Sequence, residues 1–241
     1  MKLLFVRHAD PDYSIDSLTE VGKKEAEALS RRLVAEKPDD IYCSILGRAR
    51  DTLKPTLEKL GATATYCDWL REFNYANIQP SYCPEPRIPW DLLPDFAAKQ
   101  EGLFSPTEWR NLDFIKNSNT LECYDEVTKK LDAVLARHGY LRDGANYRAE
   151  RPNHNTILFV CHYGVICVLL SHLLNCSPYV LWQQAVALPS SVSCFYTEER
   201  AQGIASLRMS QFADTGHLFA AGLIPSFAGR FCECFTDETR H

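Results

Sequence analysis

The sequence predicts an α/β fold: a three-layer α/β/α arrangement around a mostly parallel central sheet, with an antiparallel strand or hairpin at one edge and a helical or irregular cap insertion. Three observations carry that expectation. The stretches Leu3–Asp10 (LLFVRHAD) and Ile157–Gly164 (ILFVCHYG) open as continuous apolar runs, as strands buried on both faces of a parallel sheet do. Up to Cys67 such runs alternate with segments of helical period, the β-α-β-α-β signature of helices layered on a sheet. A length of 241 residues suits one domain with its own core, spanning 1–241, with the cap at about 73–119.

Lys2–Val6 is the first strand, and the turn-rich ADPDYSIDS that follows is a loop. Ser17 and Glu20 have capping-box spacing and open a helix to about Glu36. Leu18, Gly22, Ala26, Leu29 and Leu33 line its inner face, Lys23, Lys24, Glu27, Arg31 and Arg32 its outer one, and Lys37-Pro38 ends it. Ile41–Cys43 is a second strand. Ser44 is placed to cap a helix that runs to Leu60, stops at Gly61 and should kink or divide at Pro55. Ala62–Cys67 is a third strand.

From Phe73 to Asn119 the period dissolves into prolines and aromatics (Phe73, Tyr75, Tyr82, Trp90, Phe96, Phe104, Trp109, Phe114). The stretch is too apolar to be a disordered linker and reads as ordered, with short helices near Trp90–Gln100 and Thr107–Ile115. A long helix covers Leu121–His138, Gly139–Asn155 reads as a polar loop, Thr156–Val160 as the fourth strand, and Gly164–Leu174 as a helix. Ser191–Tyr196 and Ile204–Ser210, joined through Glu198–Gly203, form the edge hairpin, and the tail from Ala213 has no clear period.

A net charge of −5 without any basic block argues against a nucleic-acid partner. No apolar run approaches the roughly 20 residues that cross a bilayer, and MKLLFVRHAD turns charged too soon to be a secretory signal. The ten cysteines include no CxxC pair, only Cys232 and Cys234 two apart, and read as reduced thiols. Together these predict a cytoplasmic protein with no membrane contact.

The chemistry centres on His8 and His162. Ligands of parallel sheets bind outside the carboxyl ends of the strands, and both histidines fall there. Arg7 beside His8 suggests an anion, since a guanidinium fork matches phosphate. A helix N-terminus after His162 offers free N–H groups. Arg48 and Arg50 open the second helix two residues apart, so one can enter the site while the other is solvated. Glu72, just past the third strand, is a candidate general acid if burial raises its pKa. A cysteine-phosphatase loop (C-x5-R) is excluded, because Cys43 places Ala49 at the required position and Cys161 has no arginine behind it. Cys161 and His162 are adjacent and point to opposite faces, so they do not form a protease dyad.

These residues resemble the histidine phosphatase superfamily, also called the phosphoglycerate mutase-like family. Its Arg-His-Gly hallmark stands here as Arg7-His8-Ala9, and its Leu-Thr-x-x-Gly as Leu18, Thr19 and Gly22. Its S-x-L-x-R-A-x-x-T appears as Ser44, Leu46, Arg48, Ala49 and Thr52; its L-x-E as Leu70-Arg71-Glu72; and its second histidine motif as His162-Tyr163-Gly164. The resemblance implies that His8 is the nucleophile and becomes a phosphohistidine. It implies that Arg7, Arg48 and His162 hold the phosphoryl oxygens, that Glu72 is general acid and base, and that neither metal nor organic cofactor is needed.

Ala9 and Tyr163 stand where the family has glycine. RHADPDYS lacks the tryptophan and asparagine of the mutases' first loop; Ser14 falls at the asparagine's place and could donate one bond to phosphate. Asp10 and Asp12 add negative charge that disfavours doubly anionic phosphoglycerate. The expected function is therefore hydrolysis of a small-molecule phosphomonoester. A phosphoglycerate mutase is the alternative, and an inactive phosphate-binding protein a more distant one. The oligomeric state is not legible. Substrate choice is expected to reside in 73–119 and in the tail around His217.

Overall fold

The structure, a computed structural model, describes residues 1–240. In chain order its elements are β1 (Lys2–Arg7), the two-residue strands β2 (Pro11–Asp12) and β3 (Ser17–Leu18), α1 (Glu20–Glu36), β4 (Asp40–Ser44), α2 (Gly47–Leu60), β5 (Thr65–Cys67), α3 (Pro94–Ala98), α4 (Asp113–Lys116), α5 (Thr120–Arg137), β6 (Tyr140–Asp143), β7 (Asn146–Ala149), β8 (Thr156–Cys161), α6 (Tyr163–Leu174), α7 (Pro178–Gln184), β9 (Val192–Ala201), β10 (Ile204–Asp214) and α8 (Gly216–Ala220).

The sheet order is β5-β4-β8-β1-β9-β10-β7-β6. The first four strands are parallel to one another, and the remaining pairings are antiparallel. β1 and β8 lie side by side at the centre, which is why both are apolar without interruption. Leu4, Val6, Leu158 and Val160 pack on the α1/α2 face with Leu29, Leu33 and Leu53. Leu3, Phe5, Ile157 and Phe159 pack on the opposite face with Val127, Leu131, Ile166 and Leu170 of α5 and α6. Phe159 stacks between Phe5 at 5.0 Å and Tyr42 at 5.3 Å. Each such ring pair adds about 0.5–1.5 kcal/mol beyond the burial itself.

Several local expectations are corrected. α1 is capped by Thr19, whose hydroxyl accepts from the Gly22 N–H; Ser17 instead lies in β3. A Cβ at Gly22 would lie 2.2 Å from the Asp10 carbonyl oxygen, so glycine lets α1 sit against the first loop. α2 runs unbroken through Pro55 and starts at Gly47, without a serine cap. Residues 140–149 are not a loop. β6 and β7 form a second hairpin, and β7 extends the sheet beyond β10. α7 was not anticipated, although Ser177 accepts from Tyr179 N–H and Pro178 sits at the first turn, both ordinary start signals.

Residues 73–119 are ordered and largely irregular, pinned by reciprocal 2.8 Å backbone bonds between Ile78 and Arg87. Most of the aromatics pack. Phe73 and Trp109 are buried, Trp109 meets Tyr124 and Tyr179, and Phe96 meets Tyr82 and Phe114. No helix among the described residues is long and apolar enough to cross a membrane.

Candidate active site

The β1/β8 register pairs Arg7 with Cys161, so the next residue on each strand is a histidine. The His8 N–H donates to the Cys161 carbonyl at 2.9 Å, and the two imidazole centroids stand 5.0 Å apart. Both rings are fully buried. The His8 Nδ1 lies 2.8 Å from the Ala9 carbonyl oxygen. A carbonyl only accepts, so Nδ1 carries the proton and Nε2 presents the lone pair. Burial, then the charge of Arg7 and last that of Arg48, hold the His8 pKa well below the usual imidazole range against the opposing Ala9 carbonyl. His8 is therefore neutral at pH 7, with the Nε2 lone pair free of a proton.

His162 caps α6 and is likewise kept neutral, by burial first and then by His8, Arg48 and Arg7. Its Nε2 meets the Ser44 hydroxyl at 2.8 Å, and its buried Nδ1 has no protein partner. Ser44 is thus an orienting group at the end of β4 and not a helix cap. Ala9 needs no glycine-like backbone, since its φ is not positive. Its methyl group fills a small cluster with Leu18 and Ala26.

Arg7 is 3% exposed. Its Nη1 donates to the Ala187 carbonyl at 2.6 Å and the Ala228 carbonyl at 3.2 Å, while its buried Nε has no protein partner. Of the two arginines on α2, Arg48 is the buried one; Arg50 is exposed over Tyr66. Arg48 is oriented by Asp16, which bonds its Nη1 at 2.5 Å and the Gly47 N–H at 2.7 Å. Tyr13 lies against Arg48, 5.4 Å from ring centre to guanidinium carbon, and also interacts with Arg7.

Glu72 follows the turn after β5 and caps the next one. Its Oε1 accepts from Phe73 N–H at 2.8 Å and Val165 N–H at 3.3 Å. Burial raises its pKa despite the Phe73 N–H, Arg7, Arg48 and Val165 N–H, each of which pulls it down. That places a carboxyl with an elevated pKa at the start of the His162 helix, as a general acid requires. Cys43 and Cys161 are unsuited to nucleophilic work: burial pushes the Cys43 thiol up to about 12 and the Cys161 thiol well above its ordinary value.

Ser14 does not join this group. It is exposed, and its hydroxyl donates to Asp12 at 2.5 Å. Asp10 is also engaged, accepting from the Thr19 hydroxyl at 2.6 Å and from the Ser226 hydroxyl. Among the described residues no group of three or more His, Cys, Asp or Glu side chains is placed to hold a metal ion. Residues absent from the sequence reading include Tyr13, Asp16, the 187–191 loop and the 226–229 segment. Their bonds to Arg7, His8 and Arg48 run through backbone or across long separations, and no motif announces them.

A doubly flanked sheet that brings two histidines, two arginines and a carboxyl to its parallel strand ends defines a phosphoryl-handling α/β protein. The chain belongs to the histidine phosphatase superfamily (branch 1), whose profile matches residues 3–209. Among curated proteins it is 25% identical over 237 residues to the Schizosaccharomyces pombe protein named Probable phosphatase C1687.21, covering 90% of this chain and 95% of that one. It is 25% identical over 218 residues to the adenosylcobalamin/α-ribazole phosphatase of Salmonella typhi, covering 87% and 95%. Among solved structures, a mutant phosphoserine phosphatase of Entamoeba histolytica in complex with phosphoserine superposes with a TM-score of 0.60 at 17% identity, over 90% of this chain and 98% of that one. A mycobacterial glucosyl-3-phosphoglycerate phosphatase with VO3 does so with a TM-score of 0.57 at 18% identity, over 89% and 99%.

Proposed function

We propose that this chain hydrolyses a small-molecule phosphomonoester through a phosphohistidine on His8. One observation carries the reading: a buried, neutral His8 with its Nε2 lone pair available, beside Arg7, Arg48 and His162. Nε2 attacks phosphorus as the P–O bond to the alcohol breaks, and the Glu72 carboxyl gives its proton to the leaving oxygen. The two guanidinium groups and His162 then hold the phosphoryl oxygens, where preorganised charge contributes most. In the second half, the Glu72 carboxylate takes a proton from water. The hydroxide oxygen bonds phosphorus, the P–N bond breaks, and phosphate leaves with His8 neutral again. No step uses a metal or an organic cofactor.

The first loop, RHADPDYS, lacks the tryptophan and asparagine of the mutases and carries two extra carboxylates, which supports water over a second sugar-acid hydroxyl as acceptor. The named relatives and structural neighbours, phosphatases of small phosphorylated molecules, support the same class of substrate. In this reading the chain works as one catalytic domain with 73–119 as its cap. It acts in the cytoplasm, where its ten free cysteines stay reduced.

The test is His8→Ala assayed on p-nitrophenyl phosphate, with acid-labile phosphoenzyme measured in parallel. The variant is expected to lose about 10³-fold or more in kcat and to trap no phosphoenzyme. Wild-type-like turnover by the variant would sink the mechanism.

A further inference from the structure

Within 73–119 the Trp90 side chain lies close to the Glu72 carboxyl. A Cβ at Gly164 would lie 2.4 Å from the Trp90 ring and 2.7 Å from the Glu72 Oε1, so indole and carboxylate converge on the same small space over the start of α6. The ring is held there from three sides. It meets Tyr163 edge-on at 6.2 Å and Trp182 at 6.1 Å, and its backbone carbonyl accepts from Gln183 at 2.8 Å. Trp182 in turn donates its indole N–H to the Gly164 carbonyl at 3.1 Å, and Tyr163 anchors its hydroxyl on the Ala185 carbonyl at 2.9 Å. α6 and α7 therefore present a built socket for this side chain.

We propose that 73–119 takes part in the chemistry through Trp90, a positioning residue whose indole walls the Glu72 side of the site and keeps water from the carboxyl that protonates the leaving alcohol. The inference rests on the assignment of Glu72 as general acid. Glu72 faces two cations, Arg7 and Arg48, and two backbone donors, Phe73 N–H and Val165 N–H, all of which favour the ionised carboxylate. The other titratable groups facing it, Tyr163, Cys161 and Cys167, are kept neutral by burial. Burial is thus what raises the Glu72 pKa against those cations and donors, and the Trp90 ring forms one wall of that burial.

The sign follows. An acid must be protonated to act, so activity falls as pH rises through the Glu72 pKa. Admitting water lowers that pKa and moves the alkaline limb to lower pH. The loss is greatest for esters whose leaving oxygen needs a proton. β-Glycerol phosphate has such a leaving group; p-nitrophenyl phosphate, whose phenolate departs unaided, does not.

The experiment compares wild type, Trp90→Ala and Trp90→Phe on both esters across pH. Trp90→Ala is expected to lower the β-glycerol to p-nitrophenyl ratio of kcat/KM about tenfold and to move the alkaline limb down by about one pH unit. Trp90→Phe is expected to restore most of both. An equal loss on the two esters with an unmoved limb overturns the inference, since that is what a merely structural role gives. Trp90→Gln, similar in length and polar, carries the same readouts should the alanine variant not fold. Glu72→Gln run alongside separates the two claims. If it leaves the limb in place, Glu72 is not the acid. If it abolishes the limb while the Trp90 variants leave limb and ratio untouched, only the role of Trp90 fails.

Discussion

At Gly164 the site admits no side chain larger than hydrogen. A methyl group there would meet Trp90 and the Glu72 carboxylate at distances that real Cβ atoms do not show, and neither neighbour is the loose end of a flexible chain. Gly164→Ala must push one of them away. The expected outcome is a loss of kcat of about 10²-fold, because an ångström of misplacement at a reacting group costs that much. Destabilisation should be about 1–3 kcal/mol, in the range of overpacking. Steady-state kinetics and a thermal melt check the two parts, and activity within threefold of wild type would show that Glu72 is not held where the reaction needs it. Arg7, His8, Arg48, Glu72 and His162 were legible from residue type and position at strand ends. Ser14 was not placed correctly, because a serine in an aspartate-rich turn bonds its neighbour, here Asp12, before any distant ligand. Ser44 was misread for a related reason: its motif position is right, but its hydroxyl serves His162 across 118 residues, and no local rule sees that distance.

The element that most constrains Arg7 and His8 is the connection between α7 and β9. Its Ala187 carbonyl takes the Arg7 Nη1, its Ser191 carbonyl takes the Arg7 N–H at 3.1 Å, and its Ser190 N–H donates to the His8 carbonyl at 3.0 Å. Ser190 is fully buried at φ +55°, a left-handed conformation that costs a serine about 1–2 kcal/mol. Its hydroxyl lies 3.3 Å from His217 Nε2 on α8, and Arg32 Nη1 lies 3.4 Å from His217 Nδ1. Arginine only donates, so Nδ1 accepts and Nε2–H donates to Ser190. Burial and Arg32 bring the His217 pKa down to about 4, which keeps that tautomer at neutral pH. His217→Ala is expected to lower kcat about tenfold with KM within twofold, because it loosens the carbonyl clamp on His8 without touching a phosphate ligand. His217→Gln, which retains an N–H at that reach, should recover most of it. Parallel changes in KM, or no rescue by glutamine, would refute the coupling. Hairpins and helices were read less evenly than strand ends. β1 and β8 are buried on both faces and show unbroken apolar runs, whereas β6 and β7 at the sheet edge bury only residues such as Tyr140, Tyr147 and Ala149. Their Gly144 turn, at φ +58°, was present in the sequence but was masked by polar flanks.

At the scale of the whole molecule, two segments far apart in sequence, 7–10 and 226–229, meet at the candidate site. Ser226 bonds Asp10 through its hydroxyl and donates its N–H to Glu25 at 3.3 Å, and this anchor delivers the Ala228 carbonyl to Arg7. A Cβ at Gly229 would lie 3.0 Å from both terminal nitrogens of Arg7, so the segment lies directly on the guanidinium. The aspartate that sets the first loop apart from the mutases therefore fastens the tail as well as adding charge. Arg7 Nη1 is fully occupied by two carbonyls, one from the 187–191 loop and one from the tail, which fixes the plane of the guanidinium, while its buried Nε has no protein partner. Ending the chain after Leu223 removes one of those two bonds and exposes the guanidinium to water. A hydrogen bond to a charged group contributes about 1.5–3 kcal/mol when buried, and this one is only part-buried. In the proposed mechanism Arg7 holds the phosphoryl group in the ground state and the transition state alike, so the loss belongs in binding. The truncated enzyme is expected to show a KM, and a competitive inhibition constant for inorganic phosphate, both raised about tenfold, with kcat within threefold. Ser226→Ala, which removes the hydroxyl's bond to Asp10 and the one it accepts from the Ala228 N–H at 3.1 Å, should move both constants in the same direction by a smaller factor. If truncation instead lowers both constants, the tail shields Arg7 from phosphate and does not orient it.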